Sequence, residues 1–150
     1  MSDLPDSMKP DLMKWNSGAG ISLADWTANT GNFSLAVGYS DLFWPRFVKF
    51  EEYVFLEGFG FDGLRSFEQT PGATRRSIEQ VMNHRHVADI QHAACVDIAS
   101  DKLIFLGRRL LEIYAAKLAY EFRDRKFTVE FYQPKDPEEL EGYQITFFQA

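Results

Sequence analysis

From Ser100 to Lys126 apolar residues recur three and four positions apart: Leu103, Leu106, Leu110, Leu111, Tyr114, Leu118 and Phe122. That is the helical period. Lys102, Arg109, Glu112 and Arg123 fall on the other side. Ser100 or Asp101 can act as N-cap, and Arg123, Arg125 and Lys126 suit the negative end of the helix dipole. About 24 residues at 1.5 Å each give a helix about 36 Å long, enough to cross a small domain. It is the expected scaffold, and by itself it implies no chemistry.

The C-terminus changes period. Phe127, Val129 and Phe131 alternate with Thr128, Glu130 and Tyr132; Tyr143, Ile145 and Phe147 alternate with Gln144, Thr146 and Phe148. Both runs predict half-buried strands. The ten-residue connection is short for a parallel crossover, so an antiparallel pair is expected, with one helical turn started by Asp136-Pro137-Glu138. Two strands need a covering helix or a third strand, for which 33–37 is a candidate through alternation of Phe33, Leu35 and Val37. Phe147 and Phe148 are opposite in phase, so a second layer, from another subunit or from a further helix of this chain, is needed to cover both.

Elsewhere the signals are local. Pro5, Pro10, Gly18 and Gly20 punctuate residues 1–20, read as a flexible or loosely docked tail in which Leu12, Met13 and Trp15 form an apolar turn. Residues 21–150 then make one α+β domain. Pro45 and Gly58 bracket a predicted helix over 41–57 with Phe43, Phe47, Phe50 and Val54 on one stripe, although Tyr53–Leu56 has strand propensity. Gly58, Gly60 and Gly63 read as a loop and Asp62 as the cap of a short helix carrying Leu64 and Phe67. Thr74 caps a helix that buries Ile78, Val81 and Met82, and 87–99 is ambiguous between helix and loop. The expected fold is two or three main helices packed on a small antiparallel sheet that includes a C-terminal β-hairpin.

The chain has 150 residues, a 45% apolar fraction and a formal charge of −6, with 14 Phe, 6 Tyr and 3 Trp. The apolar fraction supports a substantial core. The charge disfavours nucleic acid and anionic membranes as partners. No apolar run is long enough to span a bilayer and the first residues do not resemble a signal peptide, so a cytoplasmic location is expected. Cys95 has no partner for a disulfide and reads as a buried structural thiol.

His84, His86 and His92 fall close together. His84 and His86 diverge on a helix but share a face when extended. Asp89 follows His86 by three, a spacing that suits a histidine–carboxylate pair. No paired cysteines and no His–Glu–His helical motif accompany them, so no metal site and no cofactor is expected; His84 and His86 are the only metal alternative. Arg75 and Arg76 sit where a helix starts and could meet a carboxylate. Arg108 with Glu112, and Lys117 with Glu121, read as surface pairs. GFGFDG lacks the basic residue of a phosphate loop.

The aromatic excess remains. Trp15, Trp26, Tyr39, Phe43 and Trp44 cluster in the first third, and aromatics left over from a core favour interfaces. The expectation is a non-enzymatic interaction protein (adaptor, regulatory or immunity-like) that binds a protein partner or itself, with Trp44, Phe148, Arg75 and Arg76 as binding residues. The alternative is a small hydrolase or ligand-binding enzyme using His84, His86 and Asp89, with histidine as the acid–base group.

Overall fold

A computed structural model describes residues 3–150. Its elements are α1 (Lys9–Met13), α2 (Leu23–Thr30), α3 (Phe33–Phe43), β1 (Phe47–Phe50), β2 (Tyr53–Leu56), α4 (Phe61–Glu68), α5 (Arg75–Met82), β3 (Arg85–His86), α6 (Ser100–Glu121), β4 (Phe127–Tyr132) and β5 (Gln144–Gln149). The class is α+β, with six helices where two or three were expected.

The scaffold helix is α6. Ala99, rather than Ser100 or Asp101, stands at its N-cap, and it ends at Glu121, so Arg123, Arg125 and Lys126 lie beyond its last turn. Leu103, Leu110, Tyr114 and Leu118 are buried. Gly107 lets β4 approach closely: a Cβ there would stand 2.1 Å from the Phe131 ring.

The C-terminal hairpin forms as its alternation predicts, with Val129 opposite Phe147 and Phe131 opposite Ile145. Its third strand is the short β3, which pairs Arg85 with Ile145, so β5 is central in the order β3-β5-β4. Phe147 packs with Leu110, Tyr114 and Leu118 of α6. Phe148, on the opposite face of β5, lies under the Arg76 guanidinium of α5 at 4.5 Å. The second layer is therefore a helix of this chain.

Two expectations fail between residues 33 and 57. Residues 33–37 are helix: the Asn32 side chain accepts the Leu35 N–H at 2.9 Å and starts α3. The turn chemistry ahead of Phe33 thus ends one helix and caps the next. Residues 47–56 form the hairpin β1–β2 instead of the predicted helix, with Phe47 opposite Leu56 and Phe50 opposite Tyr53. Its two-residue turn places Glu51 at φ 52°, left-handed for a residue with a side chain. Arg65 holds the Glu51 carboxylate at 2.6 Å and offsets part of that strain.

Helices α4 and α5 cover the hairpin through Leu64, Ile78, Tyr53 and Phe55. Gly60, not Asp62, is the N-cap of α4. Thr74 caps α5 as expected, through a reciprocal box with Ser77. Val81 is exposed and leaves the buried face that was assigned to it.

Helix α5 also joins the two sheets by polar contacts. Glu79, fully buried, accepts the N–H groups of Val54 in β2 (2.8 Å) and Gln149 in β5 (2.7 Å). One turn on, buried Asn83 accepts from Leu56 N–H at 3.1 Å and donates to the carbonyls of Val54 and Phe147. These are backbone groups at strand edges that would otherwise be buried without partners.

Candidate functional site

Helix α3 reaches this core through Leu42 and Phe43 at its end, and the rest of α2 and α3 lies outside it. Neither contains a single buried residue. On α3, Phe33 is 90% exposed and Val37 70%, one helical turn apart. Leu35, Tyr39 and Phe43 lie on the other side and line a cavity of about 670 Å3. Its far wall is Val87, Ile90, Ile98, Leu103, Leu106 and Leu140, with Asp89, Asp97, Lys102 and Glu141 among them. The outer side of α3 also carries Ser34, Ser40 and Asp41, and Asp41 lies exposed one turn beyond Val37. From Asn16 to Ser40 the sequence carries one charged residue, Asp25.

Lys117 fixes the end of this arm. Its Nζ donates to the Pro45 carbonyl at 2.6 Å, pairs with Glu121 at 3.2 Å, and lies 5.0 Å over the Trp44 ring. The ammonium is thus buried and satisfied together. Its pairing with Glu121 was expected, but as a surface contact. Arg109, not Arg108, binds Glu112, at 3.0 Å. At its middle, α3 is tied to the body by Gln91, whose amide donates to the Tyr39 hydroxyl across the cavity.

The predicted binding residues separate. Trp44 is 54% exposed at the base of the arm. Phe148 is 1% exposed, covered by α5, and so offers no surface to a partner. Arg76 is occupied by that ring and Arg75 reaches the Ala150 carbonyl, so both serve to hold the C-terminal strand.

His84 and His86 do come together, their rings 5.2 Å apart, because the chain is extended where a helix was expected to carry past Asn83. His84 Nδ1 contacts the Val81 carbonyl and His86 Nδ1 the Glu141 carbonyl at 2.6 Å. The expected pairing of His86 with Asp89 is not made. Both line a second cleft of about 280 Å3, with Arg46, Glu57, Arg85 and Asp41, but His84 does not. Among the described residues no three histidine, cysteine, aspartate or glutamate side chains converge as a metal site.

Cys95 is half-buried instead of buried. Its thiol donates to the Asp97 carboxylate at 3.0 Å, and that bond pushes its pKa above the ordinary value. Such a thiol is a weak nucleophile at neutral pH. Among the described residues no helix is long and apolar enough to cross a membrane.

Comparisons with protein-family models, with curated proteins and with solved structures find no match for this chain.

The arm was missed in the sequence as a unit, although its signal is there. A run with two charges, Asp25 and Asp41, from Asn16 to Phe43, in a chain that is 25% charged, marks a surface depleted in the way interface cores are depleted. Glu79, Asn83 and Lys117 gave no such signal, since polar residues at helical spacing look alike on a wet face and on a buried one.

Proposed function

We propose that this chain is a non-enzymatic protein-interaction module whose binding surface is the α2–α3 arm with Trp44 at its base. The observation that carries it is the exposure of Phe33 and Val37, two large apolar side chains one turn apart on α3. Burying one such side chain contributes about 1.5–3 kcal/mol. The location expected for it is the cytoplasm, where a lone thiol stays reduced.

The test compares two baits in lysate, the native chain and the double variant Phe33→Asp/Val37→Asp. The native bait retains a stoichiometric protein, a second copy of the chain included, and the double variant loses it while its circular dichroism is unchanged. Equal recovery by both baits would overturn the assignment.

A second function, binding of a small ligand with acid–base chemistry, draws on His86, Asp89 and Arg85 sharing one cleft. It predicts that His86→Ala abolishes binding of a small anion there without loss of stability. Three carboxylates (Asp41, Glu57, Asp89) line the same cleft and oppose an anion, so this ranks second.

A further inference from the structure

We infer that the cavity between α3 and α6 is a binding site for a small organic cation, an ammonium group carried on an apolar body. The site is separate from the exposed Phe33 and Val37 of the interaction reading above, and either can fail without the other.

Size and lining fit a small molecule. The cavity holds about 670 Å3. Ligand sites typically run from about 300 to about 1,000 Å3 and are mostly apolar, with a few polar groups that set the ligand's orientation. Here Leu35 and Phe43 on one side and Ile90, Leu103 and Leu106 on the other would surround an apolar body. Tyr39 and Phe43, their ring centroids 6.4 Å apart, add two aromatic rings to the α3 wall, and ring faces attract organic ammonium groups. A lysine stem from a partner protein would fill only a small part of this volume.

The charged groups choose the sign of the ligand. Asp89, Asp97 and Glu141 line the cavity against Lys102. Lys102 is already engaged: its Nζ donates to the Asp97 carbonyl at 2.6 Å and lies 3.4 Å from the Asp97 carboxylate. His92 adds no positive charge, because its Nδ1 accepts the Ala94 N–H at 3.1 Å and so carries no proton. Asp89 and Glu141 remain. Among the described residues neither carboxylate has a hydrogen bond or an ion pair. Asp89 also borders the smaller cleft, where Arg46 and Arg85 lie, but pairs with neither. The two acids stand on the turns Val87–Ile90 and Leu140–Gly142. His86 Nδ1 donates to the Glu141 carbonyl at 2.6 Å and holds those turns side by side. An apolar cavity thus carries two uncompensated carboxylates on adjoining turns, which favours a cation and disfavours an anion.

The test titrates the untagged full chain with phenylbutylamine, phenylbutanol and phenylbutyrate, which share one apolar body and differ in the charge of the head, and follows methyl resonances in solution. The amine is expected to move the methyls of Ile90, Ile98 and Leu106 and to bind about tenfold tighter than the alcohol, the advantage that two exposed carboxylates supply. The butyrate binds more weakly than either, and added salt narrows the gap. Asp89→Asn/Glu141→Gln changes two exposed side chains without changing their shape. It should bring the amine down to the affinity of the alcohol and leave the alcohol as it was. Leu35→Trp fills the cavity from α3 and weakens the amine and the alcohol alike, whereas Phe33→Asp/Val37→Asp weakens neither. Equal affinities of amine and alcohol for the native chain overturn the cation, as does a butyrate that binds tightest. An amine preference that survives Asp89→Asn/Glu141→Gln overturns the part given to those two acids. Binding that is lost in Phe33→Asp/Val37→Asp but kept in Leu35→Trp overturns the cavity as the site. No shift with any of the three at millimolar concentration overturns the inference and leaves the interaction reading intact.

Discussion

Single residues set the close approaches on which the layers depend. Gly107 is where α6 meets β4, and Gly107→Ala tests competing effects. In an open helix the change stabilises by about 1 kcal/mol. Here the new methyl would strike the Phe131 ring, so a net loss of about 1–3 kcal/mol is expected in urea unfolding. A gain would show that β4 can retreat at no cost. Glu79 poses a hydrogen-bond question. Its carboxylate accepts from Val54, from the Gln149 N–H and from the Gln149 side chain, and nothing near it asks for a donor. Glu79→Gln keeps the shape but turns an NH2 group on those donors. Leaving a buried donor unmet costs about 1–3 kcal/mol, so thermal unfolding should fall by several degrees. An unchanged midpoint would mean that the two sheets are not joined through this side chain.

At the scale of elements, legibility followed the presence of one buried side. Helix α6 and strands β4 and β5 each pack one face on a core, and their periods stand out in the sequence. Helix α5 was legible through Thr74, which supplies a cap whatever the packing. Helix α3 was misread as a strand because Phe33, Leu35 and Val37 alternate over its first turns, although Leu35, Tyr39 and Phe43 recur at helical spacing on the side that faces the cavity. Strand β2 is buried at all four positions, which removes the two-residue alternation. Its turn uses Glu51 where Asn or Gly would have announced a hairpin, and Arg65 makes that tolerable. Pro45, read as a helix start, instead precedes β1 and gives its carbonyl to Lys117. Part of the candidate site, Trp44, was legible as surplus aromatic character; the rest depended on which sides of α3 find a partner. Lys117→Met checks the element-level link. It keeps the side chain's bulk and removes the bond to Pro45, at a cost of about 1.5–3 kcal/mol for a charged donor. Amide exchange at Trp44 and through α3 should accelerate, while exchange in β4 and β5 stays as it was.

Across the whole molecule both ends of the arm are fastened to the same helix. Before the arm, the Ser7 N–H and hydroxyl each reach the Asp101 carboxylate at 2.8 Å, near the start of α6. After it, Lys117 holds Pro45. The two anchors are about 24 Å apart along α6 at about 1.5 Å per residue. Segments between them can move only as far as both anchors allow, which presents α2 and α3 as a raised surface instead of a free tail. The first anchor responds to acid. Burial alone favours the neutral form of Asp101, but the two Ser7 donors and the Lys102 N–H outweigh it and hold its pKa below the ordinary value. A carboxyl depressed in the folded state contributes fully above its unfolded pKa, near pH 4, and the contribution is lost as pH falls through the folded value. The Ser7 amide resonance should therefore hold steady from neutral pH to about pH 4 and shift below it. Asp101→Asn, which replaces one acceptor by a donor, should leave Ser7 released at every pH and quicken exchange in the first turns of the chain. Combined with Lys117→Met it should raise exchange across the arm by more than either change alone, since one anchor limits what the loss of the other can release. A Ser7 resonance that is indifferent to both acid and Asp101→Asn would show that the N-terminal anchor does not hold, and that the arm is fixed at Pro45 alone.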